Sequence, residues 1–170
     1  FRDDAPDEAL ALLAACLDVA PRHPWALFFD HAIHRWLRGD EPEPPVPAFL
    51  RSSLRFALAA RSPATRLFAD TFATLGWAAE HLSSPGLVVE LGVRHGTSLR
   101  FLADALPQRR LVGFDSFEGL PVAWGDHGPG LYSTEGQRPD VPRHVDLVAG
   151  WFADTLPPFA ASLRDPIALL

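Results

Sequence analysis

Lysine, asparagine and methionine are absent from this sequence of 170 residues, and all 15 of its basic residues are arginine. Alanine, arginine, proline and glycine are abundant instead. This bias is typical of a GC-rich genome and predicts a bacterial source. Because the chain contains no methionine, we do not expect Phe1 to be the native start.

Cysteine, long apolar runs and basic clusters are also scarce. Cys16 is the only cysteine, which excludes an internal disulfide and fits a reducing compartment. The start shows no signal-peptide pattern, so we expect a cytoplasmic protein. No apolar run reaches the ~18 residues of a membrane span, and the formal charge is −6 without a basic stripe. We therefore expect neither a membrane nor a nucleic acid as partner.

The first part of the chain is predicted to be helical. Helices are expected over residues 5–20, 25–38, 49–60 and 63–82, from apolar positions that recur at helical spacing. Ala9, Leu13, Cys16 and Pro21 lie at spacings of 4, 3 and 5, which resembles the second helix of a tetratricopeptide repeat. An ordinary helical hairpin is the alternative. Such helices could bind a protein partner or a second copy of the chain.

Residues 39–47 form the clearest linker, with four prolines and three acids that cannot continue a helix. We place a domain boundary there. The predicted organisation is a helical segment over residues 1–38, the linker over 39–47, and a ligand-binding domain over 48–170.

One stretch, residues 86–98, predicts a buried strand, a glycine turn and the start of a helix. Leu87–Leu91 is a short apolar run fit for a parallel strand covered on both faces. Gly92 and Gly96 allow the backbone to turn and to approach a ligand. Thr97 or Ser98 is expected to cap the next helix, 98–106, and Glu90 stands where ligands gather in open α/β sheets.

A second strand, Leu111–Asp115, follows at the distance typical of a nucleoside-binding fold. Asp115 lies 25 residues after Glu90 and can accept two hydrogen bonds from a ribose diol. The turn has the form E-x-G-x-x-x-G, with Arg94 interrupting a G-x-G-x-x-G pattern. This departure argues against pyrophosphate and suits a nucleoside with a smaller anion, such as the carboxylate of S-adenosylmethionine.

The remaining elements complete an α/β order. Strands are predicted over 144–149 and 167–170, and a helix over 151–163 is interrupted by Pro157 and Pro158. Strand–helix alternation implies a parallel sheet with right-handed crossovers. Residues 117–142 form a long loop rich in proline and glycine, which is expected to be functional or mobile.

Three strings in this order resemble the macrocin O-methyltransferase family of class I S-adenosylmethionine-dependent enzymes. They are ELGVRHGTS at 90–98, GFDSFEGLP at 113–121 and GWFADTLP at 150–157. The resemblance covers residues 86–170 and implies a Rossmann-like parallel sheet, with only its first four strands present, behind the helical segment. It implies transfer of a methyl group to a hydroxyl of a sugar or other natural-product acceptor.

The resemblance also implies roles for single residues. Glu90, Gly92, Gly96 and Ser98 would hold the methionine end of the cofactor, and Asp115 the ribose hydroxyls. The adenosine would be bordered by the remaining positions, Ser116, Phe117, Gly150, Trp151 and Phe152. A divalent metal such as Mg²⁺ is expected of the family, with ligands directly after the fourth strand, so we expect the metal and catalytic residues to lie beyond Leu170.

Two alternatives stay open. An NAD-dependent oxidoreductase would share the strand, the turn and Asp115, but it favours the G-x-G-x-x-G spacing. A helical-repeat interaction protein with a degenerate, non-catalytic methyltransferase domain would explain the early stop.

Overall fold

A computed structural model describes residues 6–38, 47–62, 64–66, 68 and 70–170 of the chain. Contacts divide the chain into two units, Phe1–Asp70 and Thr71–Leu170. None of the helices among the described residues combines the length and the apolar character needed to cross a membrane.

The first unit contains three helices, α1 (Pro6–Val19), α2 (Pro24–Arg38) and α3 (Ala48–Ala60). Proline opens α1 and α2, where its missing N–H costs no helical hydrogen bond. Helix α2 packs against both α1 and α3. These bounds confirm the first three predicted helices to within one residue at each end. Their likeness to a tetratricopeptide repeat stays a prediction.

The division between the units falls after Asp70 rather than in the predicted linker. Residues 39–46 of that linker lie outside the described residues, so the linker stays a prediction. Helix α3, which we assigned to the ligand-binding domain, instead packs against α2 in the first unit. Just after α3, the Arg61 guanidinium donates a hydrogen bond to the Trp36 carbonyl at 2.8 Å and lies 5.3 Å from the centre of the Trp36 ring.

The second unit is an α/β domain built on a four-stranded parallel sheet. Its elements are, in chain order, α4 (Thr71–Glu80), β1 (Leu87–Leu91), α5 (Thr97–Ala105), β2 (Leu111–Asp115), β3 (Val145–Ala149), α6 (Phe152–Ser162) and β4 (Ile167–Leu169). The strand order is β3-β2-β1-β4, and every paired strand is parallel. The predicted Rossmann-like fold class is confirmed, and the four strands lie where the sequence placed them.

The two central strands send alternate side chains to opposite faces of the sheet. On one face, Val88 and Leu111 join a core formed with Leu99 and Leu102 of α5 and Ala79 of α4. On the other face, strand residues pack against α6; they are Leu87, Val89, Val112 and Phe114. Cover on both faces explains why β1 and β2 are continuous apolar runs.

Two helices differ from their predicted bounds. The helix expected over 63–82 is shorter, because α4 spans only Thr71–Glu80. Helix α6 is not interrupted: it runs through Pro157 and Pro158, although each proline removes a helical hydrogen bond. Leu156 and Phe159 of α6 pack on the sheet, with the Phe159 ring centre 4.9 Å from that of Phe114. This packing keeps the helix continuous despite the lost bonds.

Candidate ligand-binding site

A pocket of about 840 Å³ opens where β1, β2 and β3 end. Ligands of open α/β sheets bind at this edge, outside the carboxyl ends of the parallel strands. The size falls in the range of small-molecule sites. The lining residues are Gly92, Arg94, Asp115, Ser116, Gly119, Leu120, Pro121, Tyr132, Gly150, Trp151, Phe152, Ala153 and Asp154.

The two glycines of the first turn have different surroundings. Gly92 has φ +94°, and a Cβ added there would meet no atom within 4 Å, so the backbone is open on this side. Gly96 has φ +70°, but a Cβ there would lie 2.9 Å from Cγ of Pro139. Gly96 therefore makes room for the protein's own loop, whereas the same side of Gly92 is open.

Asp115 holds two turns together through its carboxylate. Its Oδ2 accepts the N–H of Arg94 at 2.6 Å, and its Oδ1 accepts the N–H of Phe117 at 2.7 Å. Both donors have left-handed backbones, with φ of 47° and 62°, which cost energy in residues other than glycine. The carboxylate thus stabilises both turns, and each oxygen keeps a lone pair for a ligand hydroxyl.

Glu90 is a half-buried carboxyl with one satisfied oxygen. Ser98 donates its hydroxyl to Oε1, while Oε2 is buried without a hydrogen-bond partner among the described residues. Burial raises the pKa of Glu90; the hydrogen bond from Ser98 opposes that rise, and the negative charge of Asp115 adds to it. An unpaired buried carboxylate oxygen is a position that a cationic or N–H-bearing ligand group would stabilise.

The hydrogen bond to Glu90 corrects the expected role of Ser98 as a helix cap. Helix α5 begins at Thr97, its N-cap is Gly96, and no side chain caps it. The Ser98 hydroxyl donates to the carboxyl group on the strand, whereas a capping hydroxyl would accept a backbone N–H of the helix.

The opposite wall of the pocket follows β3. Gly150 has φ +140°, and its N–H donates to the Asp115 carbonyl at 2.9 Å, which joins this turn to the end of β2. Trp151 and Phe152 follow and add two aromatic rings to the lining. Flat aromatic surfaces beside Ser116 suit a planar heterocycle such as a nucleobase.

Six of the ten residues predicted for the site line the pocket together: Gly92, Asp115, Ser116, Gly150, Trp151 and Phe152. Glu90 and Ser98 are paired with each other and do not line it. Gly96 faces Pro139. Phe117 is only 2% exposed, and its side chain belongs to the core beside α5. The side chain of Phe117 therefore does not line the pocket. Phe117 contributes to the site through its backbone N–H, which donates to the Asp115 carboxylate.

Seven lining residues were not predicted. Six lie inside the strings quoted above, so the signal was present: Arg94, Gly119, Leu120, Pro121, Ala153 and Asp154. Tyr132 is the only tyrosine of the chain and lies in the long loop. The Arg94 guanidinium lies 5.1 Å from the centre of the Tyr132 ring. This contact joins segments 38 residues apart, which local sequence patterns cannot show.

The long loop over residues 117–142 is tied to the sheet end. The Phe117 carbonyl accepts the N–H groups of Thr134 and Gly136, both at 3.1 Å. Near its other end, Arg100 of α5 donates to the Asp140 carbonyl at 3.2 Å. The loop supplies Tyr132 and the 119–121 segment to the pocket. That the loop is functional or mobile stays a prediction.

Most of the second unit is similar in sequence to a known protein family. Residues 89–170 match the sequence model of a family described as a methyltransferase domain. The crystal structure of CalS11, a calicheamicin methyltransferase, is 20% identical to the chain with a TM-score of 0.45, over 79% of this chain and 60% of that one. The chain thus spans about three fifths of that structure's length. No curated protein matches the sequence.

The described residues do not supply the ligand set of a metal site. Among them, no group of three or more His, Cys, Asp or Glu side chains is arranged to hold a metal ion. The divalent metal expected from the family resemblance therefore has no site in this part of the chain, and we derive no step through it.

Proposed function

We propose that the second unit binds S-adenosylmethionine and transfers its methyl group to a hydroxyl of a sugar or other natural-product acceptor. The observation that carries this proposal is the pair of strand-end carboxyls, Glu90 and Asp115, around the open backbone of Gly92. The match of residues 89–170 to a methyltransferase domain supports it.

The residues present fit this cofactor. The free lone pairs on the Asp115 carboxylate would accept the two ribose hydroxyls. Trp151 and Phe152 would flank the adenine. The open side of Gly92 would allow the methionine chain to approach the backbone. Glu90 does not line the pocket, but its carboxyl group, with Oε2 unpartnered, would favour the positive charge of the α-ammonium group without contacting it.

The chemistry then rests on positioning. The bound cofactor supplies a methyl group on a positively charged sulfur, which an acceptor oxygen can attack in line. Holding the two reactants in this geometry lowers the barrier by removing the entropy cost of their encounter. The pocket walls of residues 119–121 and Tyr132 would shield the reacting atoms from water. We assign no catalytic base.

The structure disfavours NAD as the alternative ligand. In the G-x-G-x-x-G turn of dinucleotide-binding folds, the second glycine lets the backbone approach the pyrophosphate. With Gly92 as the first glycine, that position is Arg94, whose side chain lines the pocket. A pyrophosphate would meet this side chain where the fingerprint has none.

A calorimetric titration tests the proposal. S-adenosylhomocysteine, the product form of the cofactor, is expected to bind the chain, and NAD is not. Replacing Trp151 by alanine should weaken binding by about 1–3 kcal/mol, the contribution of stacking a base on an aromatic ring. Trp124→Ala is the matched control, because Trp124 is exposed and does not line the pocket; it should bind as the native chain does.

The outcomes separate the alternatives. Binding of NAD in preference to S-adenosylhomocysteine would favour the oxidoreductase. Binding of neither would favour the interaction protein with a degenerate domain. Where S-adenosylhomocysteine binds, transfer of a labelled methyl group to a panel of glycosides tests the acceptor class.

A further inference from the structure

The pocket has a single cationic side chain among the described residues that line it. This is Arg94, against the two acids Asp115 and Asp154. Its guanidinium forms no ion pair with a described residue; the contact shown is with the face of Tyr132. A guanidinium stacked on a ring keeps its N–H groups available at its edge, where they can form two parallel bonds to a carboxylate.

Arg94 is held in place by contacts on both sides. Its backbone N–H is bound to the Asp115 carboxylate, and its side chain lies over Tyr132. Tyr132 is positioned in turn by its neighbours, since the hydroxyl of Ser133 and the N–H of Thr134 both donate to the Phe117 carbonyl. The guanidinium is therefore preorganised before a ligand arrives, which lowers the entropy cost of binding.

The turn places opposite charges on its two sides. Glu90, with its unpartnered Oε2, precedes Gly92 by two residues, and Arg94 follows it by two; of the two, only Arg94 lines the pocket. An α-amino acid carries an ammonium and a carboxylate on one carbon, so an acid and a guanidinium on one turn are complementary to it. Asp115, which contacts Arg94 directly, would place the ribose beside this pair.

Building on the proposed function, we propose that Arg94, supported by Tyr132, recognises the carboxylate of the cofactor's methionine end. Arg94 would then make the site selective for ligands with the amino-acid tail over nucleosides without it.

The experiment compares two ligands on matched variants. S-adenosylhomocysteine carries the amino-acid tail, and 5′-methylthioadenosine is the same nucleoside thioether without it. Arg94→Gln is expected to weaken S-adenosylhomocysteine about 10- to 100-fold, the usual loss for a hydrogen-bonded charged group, and 5′-methylthioadenosine less than about threefold. Arg110→Gln is the control, since Arg110 pairs with Asp146 outside the pocket lining; it should change neither affinity.

Further variants test the supporting ring. Tyr132→Phe keeps the ring under the guanidinium and should bind both ligands as the native chain does. Tyr132→Leu removes it and should weaken S-adenosylhomocysteine selectively, though less than Arg94→Gln does. Arg94→Lys keeps the charge but not the planar fork, so an intermediate loss is expected.

Two results would overturn the inference alone. Equal weakening of both ligands by Arg94→Gln would mean that Arg94 shapes the pocket without reading the carboxylate, and no weakening of either would remove Arg94 from the site. If the native chain binds neither ligand, the proposed function fails and the inference with it.

Discussion

Replacing Asp115 with alanine should weaken the fold as well as ligand binding. The carboxylate accepts the backbone N–H groups of Arg94 and Phe117 at 2.6 and 2.7 Å. Both residues have left-handed backbones, which the bonds to the carboxylate help to hold. An interpretation of Asp115 as a ribose ligand alone would predict a loss of affinity without a loss of stability.

The magnitude follows from the surroundings of each donor. The bond to Phe117 is partly buried, so an unsatisfied N–H there should cost about 1–3 kcal/mol. The bond to Arg94 is exposed, and water can replace it, so its loss should cost less than about 1 kcal/mol. We therefore expect Asp115→Ala to lower the free energy of unfolding by about 1–4 kcal/mol. In addition, the affinity for S-adenosylhomocysteine should fall by about 1–3 kcal/mol.

Urea unfolding without ligand and calorimetry under native conditions measure the two effects separately. Asp146→Ala is the control: Asp146 lies on the neighbouring strand β3, and its exposed pair with Arg110, at 2.7 Å, should contribute less than about 1 kcal/mol. If Asp115→Ala unfolds at the same urea concentration as Asp146→Ala, the bonds to the two turns do not stabilise the fold. If its affinity is unchanged, Asp115 is not a ligand residue.

Two further predictions test the core and the buried carboxyl. Gly113→Ala should destabilise the fold by about 1–3 kcal/mol through overpacking, since an added Cβ would lie 2.6 Å from atoms of Leu99 and Val93. Gly128→Ala is the control: an added Cβ there has no atom within 4 Å, so the urea midpoint should change little. Burial raises the folded-state pKa of Glu90 above its ordinary value of 4.5, so ionised Glu90 destabilises the fold. Glu90→Gln should therefore be more stable than the native chain at neutral pH. This difference in stability should shrink as the pH falls through the folded-state pKa and should level off below about 4.5. Thermal unfolding of both proteins across a range of pH measures this difference. If the stability advantage of Glu90→Gln grew as the pH fell, the pKa of Glu90 would not be raised in the folded state.

The sequence predicted the sheet and its glycine turn well because both depend on local patterns. β1 and β2 are apolar runs with β-branched residues, and a strand covered on both faces needs little more than such a run. The helix over 63–82 was overestimated for a related reason: its apolar spacing continued toward residue 67, but α4 begins only at Thr71. Proline likewise predicted a break in α6 that the packing of Phe159 on Phe114 overrides.

The candidate site was predicted only in part, because neighbours in one string can face opposite ways. Ser116 lines the pocket, whereas Phe117, the next residue, is buried in the core. The left-handed backbone of Phe117 turns the chain at this point. A sequence motif indicates only that both positions belong to the site region, so it cannot distinguish a residue that lines the pocket from one that packs in the core.

By itself, the sequence determined the order of strands and helices, the turn at Gly92 and the acids at the strand ends. These features depend on hydrophobic periodicity and on glycine, whose effects extend over only a few neighbouring residues. Only the tertiary structure decided that Pro139 fills the open side of Gly96, that Asp115 binds two turns and that Tyr132 lies under Arg94. Apart from the local bond between Phe117 and Asp115, these contacts join residues 21 to 43 positions apart. Their geometry depends on how the long loop returns to the end of the sheet, and that return is stabilised by hydrogen bonds and packing which no single segment encodes.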